Sequence, residues 1–160
     1  MTELRIDQQL DLQALHRVRE RLVCQRTSVI NQIRAFLLER GIAVRQGLRA
    51  LRTEIPIILG MTDKLSPRMI HVIEALCTDW RYLDGRIETV SDEITTLSEQ
   101  DDGAKRLMTV PGIGPIISSA MVAAIGSGAA FAKGRDFSAW LGLVPKQMST
   151  DANGRASRDG

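Results

Sequence analysis

The segment PGIGP at residues 111–115 contains two glycines and two prolines on either side of one isoleucine. It lies between two apolar stretches of the chain. Glycine adopts positive φ angles and carries no side chain, so consecutive backbone N–H groups in such a turn can point outward. Pro115 suits the first position of a following helix, whose N-terminal end carries a partial positive charge. This spacing therefore indicates the binding of an anion, and a DNA phosphate is well suited to it.

A helix, this turn and a second helix that begins with proline together have the form of a helix-hairpin-helix. The predicted DNA-contacting residues of the turn are Gly112, Ile113 and Gly114, with the isoleucine folded back to fix the hairpin. Three basic residues further along the chain are predicted to contact DNA as well: Lys133, Arg135 and Lys146. Such contacts hold a protein on nucleic acid without reading its sequence. A tight connection between two helices, with no ligand, is the alternative interpretation.

Helical periodicity precedes the turn and predicts two long helices. Apolar residues recur every three or four positions between Asp11 and Glu39, and Gly41 follows as a stop signal. Ser66 and Pro67 provide an N-cap and a first helical residue for the second helix. Apolar residues of this helix step alternately by three and four, which is the heptad pattern of a coiled coil. They are Ile73, Leu76, Trp80, Leu83, Ile87, Val90, Ile94 and Leu97.

An antiparallel coiled-coil hairpin within the chain satisfies this pattern, and a dimeric bundle of helices is the alternative. We therefore predict an all-α fold, in which a long antiparallel coiled-coil hairpin precedes a small helical domain that contains the helix-hairpin-helix. The coiled-coil arm covers residues 1–100, with a linker at about 41–65. The helical domain covers residues 101–148, and a disordered tail covers residues 149–160.

Charge is unevenly distributed along the chain, although the net charge is only +2. Residues 1–60 carry ten arginines and six acidic residues, whereas residues 61–110 are acidic overall. This distribution favours two long helices that pair with each other, or a nucleic acid near the ends of the chain. Solvated helix faces explain the first two segments equally well.

The remaining composition points to a cytoplasmic protein without a membrane partner. Cys24 and Cys77 have neither metal-binding nor redox spacing, so no metal site is predicted. No apolar run reaches the length of a membrane span. The start of the chain is polar and acidic, unlike a signal peptide.

Three segments of the chain carry a family resemblance. They are LHRVRERLVCQRTSVINQIRAFLLERGI (15–42), LMTVPGIGPIISSAMVAAIG (107–126) and FSAWLGLVPKQMST (137–150). In type, order and spacing they resemble the transposases of the insertion-sequence-110 family, particularly its 1111-type branch. The resemblance implies a DNA-recombining enzyme in which a RuvC-like nuclease domain with four acidic metal ligands precedes a helical region and a C-terminal transposase domain. It also implies dimers or tetramers that act on DNA under the direction of a bridge RNA.

The resemblance implies a catalytic role for Ser149, which matches the position of the serine that attacks the DNA phosphate. A serine hydroxyl is weakly nucleophilic and needs activation by a base or a metal. In the family the acidic site, which holds Mg²⁺, provides that activation.

The chain also departs from the family pattern. It begins near the point where the RuvC-like domain would end, so we expect no cofactor site in this chain, and Mg²⁺ would belong to the missing domain. The tail ANGRASRDG after Asp151 differs from the basic segment that the family usually has there. We therefore expect a fragment of a transposase that is inactive by itself. A non-catalytic DNA-binding module and a coiled-coil oligomerisation protein are the alternative functions.

Overall fold

The computed structural model describes residues 6–125, and its side chains are described for residues 7–124. Within this range the secondary structure is helical, with no strand, so the predicted all-α fold class is confirmed. The helices in chain order are α1 (Ile6–Leu38), α2 (Leu48–Leu59), α3 (Pro67–Gln100), α4 (Asp102–Met108) and α5 (Pro115–Ile125). No helix in the described part of the chain is long and apolar enough to cross a membrane.

The two long helices, α1 and α3, lie side by side and run in opposite directions. Arg19 Nε donates a hydrogen bond to Ser91 Oγ at 2.9 Å, and Arg26 Nη1 pairs with Asp84 Oδ1 at 3.1 Å. Later residues of α1 therefore contact earlier residues of α3. Because an apolar heptad stripe is stable only when another helix covers it, α1 supplies the covering surface within the same chain.

The stripe of α3 is buried in two core clusters, one towards each end of the helix. The first cluster joins α3 to the second half of α1, and its α3 members are Ile73, Cys77 and Trp80. The second joins α3 to the first half of α1, and its α3 members are Ile87, Val90 and Ile94. Cys77 is buried whereas the predicted stripe residue Leu76 is only partly buried. A straight helix with 3.6 residues per turn drifts away from a strict heptad, which accounts for this difference.

The segment predicted as a linker at about 41–65 contains helix α2. Leu51, Ile55 and Ile58 of α2 are buried in the first core cluster. Gly47 precedes the helix without a side-chain cap, and Pro56 lies inside it. A missing cap and an internal proline both argue against a helix at the sequence level. Burial of the apolar face against α1 and α3 outweighs these local signals, because packing supplies most helix stability in proteins.

The N-cap predicted at Ser66 is present, and a side-chain cap also precedes α4. Ser66 Oγ accepts a hydrogen bond from Met69 N at 3.2 Å, directly before α3. Asp101 Oδ1 accepts one from Ala104 N at 2.7 Å, directly before α4. Helix α5 packs on both long helices, and its residue Ala123 belongs to the second core cluster. The predicted domain boundary at residue 100 stays a prediction, and residues 126–160, with the predicted tail, lie outside the described range.

Candidate nucleic-acid interface

The connection between α4 and α5 is a tight turn that depends on one glycine. Ile113 N donates a hydrogen bond to Val110 O at 3.1 Å, and Gly112 has a φ of +88°. Pro111 and Gly112 thus occupy the two central positions of a turn of type II form, where proline and glycine are favoured. Nothing lies within 4 Å of a Cβ added to Gly112, so the conformation and not the space requires glycine.

Gly114, the second glycine of the turn, has a different role. Its φ lies outside the positive range, and its carbonyl oxygen accepts a hydrogen bond from Ser118 N at 2.9 Å. Gly114 therefore occupies the cap position in front of Pro115. A Cβ added to Gly114 would also meet nothing within 4 Å. The two predicted contact glycines lie together, but only Gly112 of the pair uses the left-handed conformation.

The backbone amides around Gly114 remain available for a ligand. The N–H groups in the first turn of a helix have no partner within that helix. In α5, Ser118 is the first residue whose N–H bonds back to the turn. Among residues 6–125, no acceptor receives a hydrogen bond from the N–H of Gly114, Ile116 or Ile117. Gly112 is exposed to solvent, and Gly114 is half-buried.

Positive charge close to the turn comes from the last turn of α4. Lys105 and Arg106 are both exposed. Lys105 Nζ lies 3.6 Å from Asp102 Oδ1, and Arg106 has no ion pair with a described residue. Two apolar side chains, Val110 and Ile117, are also exposed beside the turn. The turn thus offers amides, two cations and apolar surface to a partner.

A polar contact behind the turn joins α5 to α1. His16 Nε2 lies 3.0 Å from Ser119 Oγ, and Gln13 Nε2 donates to Ala123 O at 2.9 Å. Ser119 Oγ donates its own proton to Ile116 O at 3.1 Å. His16 is therefore the donor to Ser119, through a proton on Nε2. This contact supports the helix that follows the turn.

The environment of His16 favours the neutral imidazole. Burial lowers the pKa of His16 below its ordinary value, because a buried charge loses hydration, and the nearby Arg19 lowers it further. The sequence did not identify this contact, since His16 and Ser119 lie 103 positions apart. The sequence did contain one indication of the contact: His16 is a polar residue at a position of α1 that helical spacing places towards the core.

Several predicted site residues fall outside the described part of the chain. They are Lys133, Arg135, Lys146 and Ser149. Within the described residues, no group of three or more His, Cys, Asp or Glu side chains could hold a metal ion. The cysteines are separate, with Cys24 exposed and Cys77 buried.

The turn belongs to a segment with known relatives. Residues 104–160 match the family described as Transposase IS116/IS110/IS902. This part of the chain therefore carries a segment of that transposase family. The resemblance seen in the sequence is thereby confirmed, and the matched range begins within α4 and includes the turn.

Full-length relatives extend the likeness to most of the chain. The transposase for insertion sequence element IS1328 of Yersinia enterocolitica is 36% identical over 148 residues, which is 91% of this chain and 43% of that protein. The transposase for insertion sequence element IS1111A of Coxiella burnetii is 34% identical over 144 residues, 89% of this chain and 40% of that protein. A probable family 20 transposase of Pseudomonas aeruginosa is 37% identical over 150 residues, 92% of this chain and 44% of that protein. The chain spans less than half the length of these relatives. No solved structure matches it.

Proposed function

We propose that this chain is the DNA-binding portion of an insertion-sequence transposase, and that the turn at residues 111–115 contacts the DNA backbone. The observation that carries the proposal is the exposed turn at the start of α5, with Gly112 at a φ of +88°, inside the segment that matches the transposase family. Transposition requires that the protein be held on DNA. Contacts between backbone amides and phosphate provide such holding without sequence specificity.

Electrostatics at the turn support a phosphate ligand. An oxygen that approaches Gly114 meets N–H groups that have no acceptor among residues 6–125, at the positive end of the α5 dipole. Lys105 and Arg106 add positive charge close by. Because Gln13 and His16 hold α5 against α1, the amides have a fixed direction before DNA arrives.

The proposal assigns roles to residues beyond the described range as well. Lys133, Arg135 and Lys146 contact DNA phosphates, and Ser149 is the nucleophile of strand exchange in the complete enzyme. Further proposed partners are a bridge RNA and a second copy of the chain, as a homodimer or a higher oligomer. The resemblance assigns Mg²⁺ to a RuvC-like domain, so no metal-dependent step is assigned to residues 6–125.

Replacement of the turn glycines tests the DNA contact. Gly112→Val combined with Gly114→Val adds side chains between the amides and the phosphate. Loss of one hydrogen bond to a charged group costs about 1.5 to 3 kcal/mol, which corresponds to about ten- to a hundredfold weaker binding. Fluorescence anisotropy with a labelled DNA duplex at several salt concentrations measures this change.

Gly41→Val is the matched control for this experiment. Gly41 also has a positive φ, +71°, and a Cβ there would meet nothing within 4 Å. The control variant therefore carries similar backbone strain at a different site. Unchanged affinity in the turn variant, or equal losses in both variants, would contradict the contact at the turn.

The isolated 160-residue chain is proposed to be inactive in DNA cleavage, since the family resemblance assigns the metal site to another domain. An assay with Mg²⁺ and a DNA duplex that carries the element's end sequence measures strand breakage. Covalent DNA adducts or nicks produced by this chain alone would defeat this part of the proposal, while DNA binding could still hold.

A coiled-coil oligomerisation protein without nucleic-acid binding is the second candidate function. Exposed apolar side chains favour it, and the most exposed are Leu38, Ile57 and Tyr82. However, α1 of the same chain already covers the heptad stripe of α3. Light scattering separates the candidates when combined with the anisotropy data: a concentration-dependent oligomer that ignores DNA supports the second candidate and contradicts the first.

A further inference from the structure

A second basic surface lies at the end of the molecule where α2 packs on the two long helices. We call it the α2 basic surface, and its residues are Arg26, Arg34, Arg45, Arg49 and Arg52. Two of them, Arg26 and Arg34, line a cleft of about 420 Å³ beside the start of α2. No acidic residue lines this cleft.

Two of these arginines, Arg34 and Arg52, are held in place by contacts with the backbone and with a ring. Arg34 donates to the carbonyl oxygens of Val44, Arg45 and Gly47, at 3.4, 3.0 and 3.0 Å. This holds the loop in front of α2 against α1. Arg52 lies over the ring of Trp80, with its guanidinium carbon 5.1 Å from the ring centre. Arg34 and Arg52 are therefore positioned without a ligand, as residues of a preformed binding site would be.

Ion pairs within the surface leave an excess of positive charge. Asp84 is shared by Arg26 and Arg52, and Glu54 pairs with Arg45 at 2.9 Å. Arg34 bonds only neutral carbonyl groups among the described residues, and Arg49 has no ion pair there. Five guanidinium groups thus face two carboxylates, which gives an excess of three positive charges. The side chain of Arg45 is 81% exposed, so its charge is accessible despite its ion pair.

The α2 basic surface and helix α5 contact different parts of α1. Helix α5 contacts α1 at Gln13 and His16, whereas the surface includes Arg34 of the same helix. Arg34 lies 18 positions beyond His16, about 27 Å along α1, and Arg26 lies ten positions beyond it, about 15 Å. The last turn of α4 brings two cations, Lys105 and Arg106, to the turn, whereas the α2 basic surface has five arginines.

We propose that the α2 basic surface is a second, independent contact for the phosphate backbone of a nucleic acid. The proposal rests on the proposed function, because it adds a site to a chain that binds nucleic acid at the turn. Arginines with exposed guanidinium groups, here Arg45, Arg49 and Arg52, bind phosphate oxygens directly and release counterions. The chemistry is the same for DNA and RNA, so the source of the phosphates is an outcome of the test.

The test compares salt dependence in variants of the full 160-residue chain. Arg45→Gln combined with Arg49→Gln removes two exposed charges from the surface. Each lost phosphate contact lowers the slope of log K against log salt by about 0.9, so we expect a decrease of about 1 to 2. We also expect affinity to fall about tenfold at low salt. Fluorescence anisotropy with a duplex DNA of about 30 base pairs and an RNA hairpin provides the two arms.

Arg21→Gln combined with Arg86→Gln is the matched control. Both arginines are exposed and donate only to neutral side chains four residues away, Gln25 and Tyr82. The control removes the same charge from exposed positions of α1 and α3 that are not part of the α2 basic surface. Thermal melting checks the fold of each variant, and Arg49→Gln alone replaces the double variant if loss of the Glu54 pair lowers its stability.

The outcomes separate this inference from the proposed function. A slope decrease confined to the Arg45 and Arg49 variant supports the α2 basic surface, and the probe affected identifies DNA or RNA. Equal decreases of the slope in both arginine variants would show that the slope reflects the total charge of the chain and not a contact at this surface, and this would overturn the inference. If only the variant at Gly112 and Gly114 loses affinity, the proposed function stands and the second contact fails. Absence of binding to either probe by the unmodified chain would overturn both.

Discussion

At the scale of single residues, an imidazole hydrogen bond is one of the polar contacts that hold α5 on α1 behind the turn. His16 donates to Ser119 Oγ, which is almost completely buried. The neutral ring is favoured because burial and Arg19 lower the pKa of His16. Addition of a proton to His16 therefore places a charge in a site that disfavours it.

Acidification should reduce the free energy of unfolding through His16. Its folded-state pKa lies below the ordinary value of 6.5, so between these two values the unfolded chain binds more protons. The stabilisation is complete above 6.5 and is lost as the pH falls towards the folded-state pKa. Urea unfolding at about pH 7.5 and about pH 5.5 measures the difference.

His16→Gln keeps an N–H donor for Ser119 but does not titrate, so it should flatten this part of the pH dependence. His71→Gln is the control, because the side chain of His71 is 87% exposed. The same pH dependence in the unmodified chain and in His16→Gln would rule out His16 as its source.

Asp101 is a second single residue for which the structure predicts a defined contribution to stability. Its carboxylate caps α4 through Ala104 N, and the residue is 6% exposed. Asp101→Ala should cost about 0.5 to 2 kcal/mol of stability, because the backbone N–H of Ala104 loses its hydrogen-bond acceptor. Asp102→Ala removes an exposed neighbour and should cost much less. Chemical denaturation of both variants measures the difference, and equal costs would contradict the capping role.

At the scale of elements, the apolar faces of the helices determine which segments are stable. Ile73 of α3 is completely buried, in the cluster that α2 also joins. On α2, Ile58 is buried and Ile57 is 64% exposed, although they are neighbours in sequence. The face that a helix turns to the core, and not its local cap signals, explains why α2 exists.

Ile73→Ala should therefore destabilise the chain by about 2 to 5 kcal/mol, since it removes buried methyl groups and leaves a cavity. Ile57→Ala is the matched control, and we expect its effect to stay within about 0.5 kcal/mol, as for most surface substitutions. Urea denaturation followed by circular dichroism measures both. A comparable loss in the control would show that the face of α2 assigned to solvent is wrong.

At the scale of the whole molecule, one carboxylate connects three helices. Asp84 of α3 pairs with Arg26 of α1 and Arg52 of α2. The three helices also share the first core cluster. Because Asp84 balances two guanidinium groups, its loss would leave repulsion between α1 and α2.

Asp84→Asn should lower stability by about 1 to 3 kcal/mol, in the range of hydrogen bonds to charged groups. Hydrogen exchange should show the greatest loss of protection in α2, which has the least additional packing. Asp79→Asn on the exposed side of α3 is the control. Uniform loss of protection across all helices would indicate that Asp84 does not hold α2 in particular.

Sequence patterns predicted most of the helices, because the signals that start a helix lie within a few residues of its end. Ser66 and Pro67 give a start signal that depends only on neighbouring backbone groups, so α3 begins where predicted. The segment that resembled a transposase also proved to match that family. Helix α2 was missed because Gly47 and Pro56 argue against a helix locally.

The sequence by itself determined the all-α class, the heptad stripe, the glycine turn and the family, because each depends on residue type and short spacing. Only the tertiary structure decided that α1 covers the stripe within the same chain and that Gly112 alone of the two turn glycines adopts a positive φ. Only the tertiary structure brought His16 to Ser119 and gathered five arginines around α2. Contacts between residues far apart in the chain depend on how the faces of different helices pack together, and the spacing of residues along one helix does not determine that packing.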